Sequence, residues 1–458
     1  MILTDIVRGL GGVTGLLAIA CLLSSDRRKI HWPIVVGGVA VQLVFATLFF
    51  LGGSAGVVFQ WLASLFVTVI NFTADGTAVI FGPVLSDAGE AEKVLGVGRG
   101  FIFAFQVLPT IVFFSAFASF LYYVGILQRI VFCLAWVMTR LMRLSGAESL
   151  AAAANVFVGQ TEAPLVVKPY IPKMTRSEIM ALMTGGMATI AGGVLVAYIG
   201  ILGGADEARQ QEFAKFLLCA SLMNAPAALL VAKMLVPETE TVDSHLFIPK
   251  ETVGANVLDA VATGTSQGLK LALNVAAMII AFVALIAMLN AILTDGIGGF
   301  FVDRDGMHFD REKGWLNLFV QRISGGESAV FSSFSLEAIC GFAFAPIAAL
   351  IGVESGDLLQ AGSLLGKKVI VNEFVAYLDL GAMSSAASLS PKSAFLMTFA
   401  LCGFANFSSI GIQLGGIGTL APTQRLTLAQ LGMKAMIGGT IASLLSASIA
   451  GMFFQATQ

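Results

Sequence analysis

Two apolar stretches of this chain each carry a glutamate near the middle, in Val158-Gly159-Gln160-Thr161-Glu162-Ala163-Pro164 and in Val371-Asn372-Glu373-Phe374-Val375-Ala376-Tyr377. A second apolar stretch follows each and is itself broken by small or polar residues, Thr189 to Gly193 in one case and Asn406 to Ser409 in the other. Irregular backbone survives at membrane depth only around a cavity or inside protein. Paired polar interruptions in two halves therefore point to a transporter's substrate site. Two acidic groups with no central arginine favour a neutral, hydroxyl-rich or cationic solute over an anion.

Composition places these residues in a membrane. Of 458 residues, 57% are hydrophobic and 12% charged, and the mean hydropathy is +0.89, whereas a soluble domain is about 25% charged. The expected fold is an all-α polytopic membrane protein whose environment is the lipid bilayer of the cell inner membrane. With 26 basic and 28 acidic residues the chain is near neutral, which argues against nucleic acid as a partner. Cys21, Cys133, Cys219, Cys340 and Cys402 stand apart in apolar surroundings without metal-type spacing and read as reduced packing residues. His31, His245 and His308 fall in connectors or at segment ends, which speaks against a histidine proton relay.

A crossing needs about 20 apolar residues for a core of roughly 30 Å. The run Gly15 to Leu23 follows a lone Arg8 and precedes Asp26-Arg27-Arg28-Lys29, the reverse of a secretory signal. The stretch near Gly9 to Ser25 is therefore read as a first crossing that ends in the cytoplasm. Seven more begin near Pro33, Gly100, Ser177, Glu212, Gly268, Ser393 and Ala429. Both termini then lie outside, while Lys173, Arg176, Arg425 and the stretch Pro237 to Lys250 face the cytoplasm.

Other apolar stretches are too polar or too punctuated to span. In Leu127 to Ser145, Arg129, Arg140 and Arg143 return to one helical face, so this helix is expected along the cytoplasmic surface; a spanning helix with snorkelling arginines is the alternative. Ser335 to Val353 is its expected counterpart on the other side. Gly146 to Met174 carries Glu148, Asn155, Gln160, Thr161, Glu162 and Pro164, more polarity than a lipid-facing helix permits. Folded as a re-entrant hairpin, its arms of about a dozen residues reach about 18 Å, which brings Gly159 to Glu162 near the midplane. The same exercise on Ala361 to Ser385 puts Asn372 and Glu373 at a second tip. The plainer alternative is a pair of loops with solvated glutamates.

A weak internal repeat favours the hairpins. The order is crossing, surface helix, hairpin, broken crossing, crossing, and then the same again with an odd number of crossings between the copies, so the second copy is inverted. Five segments follow: 1–99 as N-terminal scaffold, 100–145 as scaffold and surface helix, 146–236 as the first part of a transport domain, 237–353 as connector and scaffold, and 354–458 as the second part of the transport domain.

Gly159-Gln160-Thr161-Glu162-Ala163-Pro164, Asn372-Glu373-Phe374-Val375-Ala376-Tyr377 and Gly403-Phe404-Ala405-Asn406-Phe407-Ser408-Ser409-Ile410 together resemble the concentrative nucleoside transporters, and the likeness covers nearly the whole chain. The resemblance implies a homotrimer whose protomers each have eight crossings, two re-entrant hairpins and three surface helices. It implies inward movement of nucleosides such as uridine or adenosine, driven by a sodium gradient through an elevator-like displacement. It also implies that Gln160, Thr161 and Glu162 face the base, that Glu373, Asn406 and Ser409 hold ribose hydroxyls, and that Phe404 packs against the ligand. Base preference would depend on side chains near Gly159 and Val194. The family's sodium site falls on Asn155, Val158, Thr189 and Ile190, with Thr189 where relatives often have serine. Proton coupling through either glutamate, or sodium-coupled carriage of another hydroxylated solute, are the alternatives. An intramembrane enzyme using the glutamates as acid and base lacks a metal cluster, a nucleophile motif or a phosphate loop.

Overall fold

The computed structural model describes residues 2–51, 53–96, 100–142, 144–204, 206–241, 254–303, 306–326 and 329–454. Among them, eight helical segments are long and apolar enough to cross a membrane: Leu3–Leu22, Trp32–Phe50, Ala63–Phe81, Phe103–Tyr123, Arg176–Gly203, Glu207–Leu235, Val257–Ile297 and Pro422–Gly451. The number agrees with the expectation, but the membership does not. Ala63–Phe81, in the N-terminal stretch where a surface helix rather than a third crossing was expected, qualifies. The crossing expected from Ser393 is broken, as expected, into two helices, Pro391–Ala400 and Phe407–Leu420, each too short to qualify alone.

The centre of the molecule is the pair Glu207–Leu235 and Arg425–Gly451, packed against each other and against the broken helix Arg176–Gly203. Almost all of Arg176–Gly203 is buried, whereas Val257–Ile297, the most hydrophobic span, buries chiefly the small residues Ala260, Gly264, Gly268 and Ala272, with which it leans on Leu108–Tyr123. An apolar exposed face is ordinary for a helix whose solvent is lipid.

The first hairpin starts with a helix at Gly146–Asn155, opened by a reciprocal cap in which the Ser145 hydroxyl accepts from the Glu148 N–H and the Glu148 carboxylate accepts from the Ser145 N–H. Its return arm departs from the expected straight helix: only Ala163–Val166 and a 3-10 turn at Ile171–Lys173 are helical. Pro164, Pro169 and Pro172 remove donors and fix the backbone, so a continuous arm cannot form. The second hairpin is regular, with Leu358–Ile370 and Glu373–Ser385 of 13 residues each, or about 20 Å at 1.5 Å per residue.

The breaks also sit differently from expectation. The first crossing breaks at 189–191, and Gly192 and Gly193 already belong to the next helix, Gly192–Gly203. There they permit close packing: a Cβ on Gly192 would strike Phe114. The second breaks at 401–406. Asn406 is the N-cap of Phe407–Leu420, its side-chain oxygen accepting from the Ser409 N–H, so the polar run Asn406 to Ser409 starts the second half-helix rather than lying in the gap.

A helix at Ile126–Met142 buries Leu127, Val131, Ala135, Met138 and Met142 on one face and exposes Arg129 and Arg140, as an interfacial helix should; Arg143 lies outside the described residues. Its counterpart, Leu336–Leu350, packs along the first arm of the second hairpin. A small antiparallel hairpin, Phe300–Asp303 with Gly306–Phe309, occupies the charged connector where only a loop was expected. All five cysteines are free; Cys133 is exposed.

One buried ion cluster holds the first hairpin in place. The Lys233 ammonium lies 2.8 Å from the Glu148 carboxylate and donates to Glu238 at 3.1 Å and to the Ser177 hydroxyl at 3.1 Å. The Thr175 hydroxyl also donates to Glu238.

Candidate functional site

Each hairpin tip is shaped by a local requirement. Gly159 adopts φ +117°, a conformation that excludes most side chains, and a Cβ there would lie 2.9 Å from the Ala191 side chain at the first break. At the second tip Asn372 caps the return helix, its side-chain oxygen accepting from the Val375 N–H at 2.9 Å, which fixes Glu373 in the first turn. Gly403, at φ +130°, lets the second break press on the first: a Cβ would lie 2.5 Å from the Ala188 carbonyl oxygen. Asn224 ties the two breaks together by donating to the Ala188 carbonyl at 2.8 Å and the Cys402 carbonyl at 3.0 Å.

These elements bring together residues from both halves. Gln160 donates to the Ser409 hydroxyl at 3.1 Å across 249 residues of sequence and accepts from Gln413 at 3.2 Å; Gln413 also donates to the Met183 carbonyl. The Asn406 side chain donates to Glu373 at 2.8 Å while its own oxygen accepts from the Ser408 hydroxyl and the Ser409 N–H. Tyr198 donates to the other Glu373 oxygen at 3.0 Å. Glu373 is 5% exposed, and Tyr198, Tyr377 and Phe374 wall it in, with Tyr198 stacked on Tyr377 at 4.2 Å. A carboxylate so buried needs charge-assisted donors, and Tyr198 and Asn406 provide two.

Glu162 lies apart from this cluster. Half-buried, it lines a cavity of about 210 Å³ with Val158, Phe157, Gly193, Phe114, Ser119, Tyr122 and Gln267, between the first hairpin and the helices Leu108–Tyr123 and Val257–Ala291. Thr161 is exposed at the tip, Val194 is buried, and Phe404 is half-buried. A larger cavity of about 330 Å³, lined by Asn71, Asp87, Gln106 and Glu207, contains none of the expected site residues.

Around the first break, Asn155 is 1% exposed and neither of its side-chain amide atoms has a protein partner. Thr189 caps the helix end, its hydroxyl donating to the Gly185 carbonyl at 2.9 Å. Among the described residues no backbone N–H donates to the carbonyl of Val158 or Ile190, and no cluster of His, Cys, Asp and Glu could hold a metal. A cation here would rest on neutral oxygens, the donor set that suits a hard, singly charged ion.

With this geometry in hand, comparison with known proteins is decisive. A family profile described as Na+ dependent nucleoside transporter C-terminus matches residues 216–451, one described as Nucleoside recognition matches 104–205, and one described as Na+ dependent nucleoside transporter N-terminus matches 11–84. The chain belongs to the concentrative, Na+-dependent nucleoside transporter family. The transporter is 35% identical to the nucleoside permease NupC of Helicobacter pylori over 445 residues, 96% of each chain. It is 42% identical to the uncharacterized transporter YutK of Bacillus subtilis, covering 98% of this chain and all of that one. The fold matches CNTnw in an inward-facing substrate-bound state at TM-score 0.84 and 38% identity, covering 99% of both chains, and an outward-facing form at TM-score 0.83 and 36% identity, covering 99% and 98%. The transporter is a multi-pass membrane protein of all-helical fold and not an enzyme.

Sequence reasoning missed Tyr198, Asn224, Gln413 and Lys368. Lys368 had a usable signal: a lysine in an apolar hairpin arm, five residues before Glu373, is a functional candidate by its cost alone. The other three stand apart from the glutamate motifs and carry no pattern of their own.

Proposed function

We propose that this transporter imports nucleosides by coupling them to the sodium gradient, with the substrate held where the two halves converge. The observation that carries the reading is the continuous polar chain Gln413, Gln160, Ser409, Asn406, Glu373 and Tyr198, which joins the first hairpin tip to the second and to both broken helices. Ribose hydroxyls are donors that a buried carboxylate can accept, so Glu373, Asn406 and Ser409 take the sugar. Gln160 offers both a donor and an acceptor to a base edge, with Glu162 and Thr161 beside it. Phe404 supplies apolar contact, and Gly159 and Val194 shape the base end. Sodium sits at Asn155, Val158, Thr189 and Ile190; the partnerless Asn155 amide supports this, because a buried amide without a ligand is costly.

The transport domain comprises 146–236 and 354–458, the buried centre of the molecule, and moves against a scaffold built from 1–99, 100–145 and 237–353 in a homotrimer. Structures of CNTnw described as outward-facing, intermediate and inward-facing support an elevator-like cycle.

Labelled uridine and adenosine uptake into proteoliposomes tests the proposal with an inward sodium gradient, an inward proton gradient, and neither. Sodium-driven accumulation is expected. Proton-driven accumulation would move the coupling to a glutamate, and no uptake by an intact preparation would refute the nucleoside assignment.

A further inference from the structure

The inverted repeat extends to short segments at the hairpin tips, the helix breaks and the crossings that follow them. Asn155-Val156-Phe157-Val158 and Lys368-Val369-Ile370-Val371 both lead into a hairpin tip; Met187-Ala188-Thr189-Ile190 and Phe399-Ala400-Leu401-Cys402 both enter a helix break; Cys219-Ala220-Ser221-Leu222 and Ile441-Ala442-Ser443-Leu444 both lie in the crossing that follows. Asn155 thus pairs with Lys368, Ala188 with Ala400, and Ser221 with Ser443. We propose that the Lys368 ammonium is a tethered cation that holds the second helix break where a sodium ion holds the first, so that the second half takes no ion of its own. The inference rests on the sodium reading above.

The contacts carry the argument. Lys368 is fully buried and donates at 2.8 Å to the carbonyl of Ala400, the last residue before the second break, and at 2.8 Å to the Ser443 hydroxyl. A charged group at this depth persists only by pairing with carbonyls or an opposite charge. Glu373 lies within its electrostatic reach. In the first half the equivalent side chain is neutral: the Asn155 amide lies against the helix Arg176–Ala188, where a Cβ on Gly185 would be 3.4 Å from its nitrogen. Its oxygen has no protein partner, and Ser221 donates to the Val156 carbonyl at 3.3 Å instead of meeting a cation. Asparagine brings an oxygen that can ligate an ion. Lysine brings three donors, no acceptor and a positive charge that repels one. Asn224, bonded to the carbonyls of Ala188 and Cys402, bridges the two breaks. The second half thus sets a fixed ammonium beside Glu373.

The test uses the purified full-length protein in proteoliposomes, following radiolabelled sodium and uridine together, and compares the wild type with Lys368→Asn. The wild type is expected to move about one sodium per uridine with a Hill coefficient of about one, and Lys368→Asn to shift both toward about two. The mirror variant, Asn155→Lys, places an ammonium in the first half, and uridine binding should lose its dependence on sodium. A wild-type ratio of about two, or a Lys368→Asn protein with unchanged ratio and sodium dependence, overturns the inference while leaving sodium coupling intact. Wild-type uptake that ignores sodium overturns both. If Lys368→Asn does not fold, the wild-type ratio and Asn155→Lys decide: sodium-dependent binding by the folded mirror variant counts against the tethered cation.

Discussion

At the scale of residues, the proposed site is a chain of amide, hydroxyl and carboxylate groups in which each member orients the next. Asn406 spends its oxygen on capping Phe407–Leu420 and its nitrogen on Glu373, so cap and site are one device. Asn155→Ala and Thr189→Ala should raise the sodium concentration needed for half-maximal uptake while leaving uridine affinity at saturating sodium nearly intact; equal sodium dependence in variant and wild type would displace the proposed ion site. Gly403→Ala forces a side chain into φ +130° and onto the Ala188 carbonyl, a strain of about 1–3 kcal/mol before any clash. It should lose uridine binding with only partial loss of folded yield, measured side by side on purified protein. The glutamates, Gln160 and the asparagine at the second break were legible in the sequence because a charge or amide in an apolar stretch has no cheap structural explanation. Tyr198 and Gln413 were not, because their partners come from helices that only the fold brings near.

At the scale of elements, the hairpins and breaks depend on capping and on proline more than on hydropathy. The periodicity showed that two stretches could not cross, but it could not show that three prolines would reduce the first return arm to turns, or that the second break would precede its polar run. The cluster around Lys233 ties the first hairpin to Glu207–Leu235. Lys233→Met would leave Glu148, whose side chain is fully buried, with an uncompensated charge, at a cost of about 3–5 kcal/mol; thermal unfolding in detergent should show a marked loss, largely reversed by adding Glu148→Gln. Partial burial pushes the Glu238 carboxyl up, but Lys233, the Thr175 hydroxyl and the Glu240 N–H outweigh it, and its pKa falls below the usual value. A carboxyl lowered on folding stabilises above its unfolded value, and that stabilisation is lost as pH falls through the folded one. The acid side of a stability profile should therefore flatten in Glu238→Gln; an unaltered profile would remove Glu238 from the account.

At the scale of the whole molecule, a buried centre and an exposed periphery are distinct. Arg176–Gly203, Glu207–Leu235 and Pro422–Gly451 are mostly buried, whereas Val257–Ile297 exposes an apolar flank. The assembly is expected to be a trimer in detergent, which light scattering on the purified protein would check; a stable monomer that transports would contradict it. Through all three scales runs the claim that a nucleoside is held between the halves by Glu373 and its partners. The most direct test is uridine binding to purified protein in saturating sodium, wild type against Glu373→Gln. Removing a charge-assisted hydrogen bond of about 1.5–3 kcal/mol should weaken binding by about 10- to 150-fold and abolish uptake, with the variant as well folded as the wild type. Near-normal binding and transport by Glu373→Gln would contradict the account.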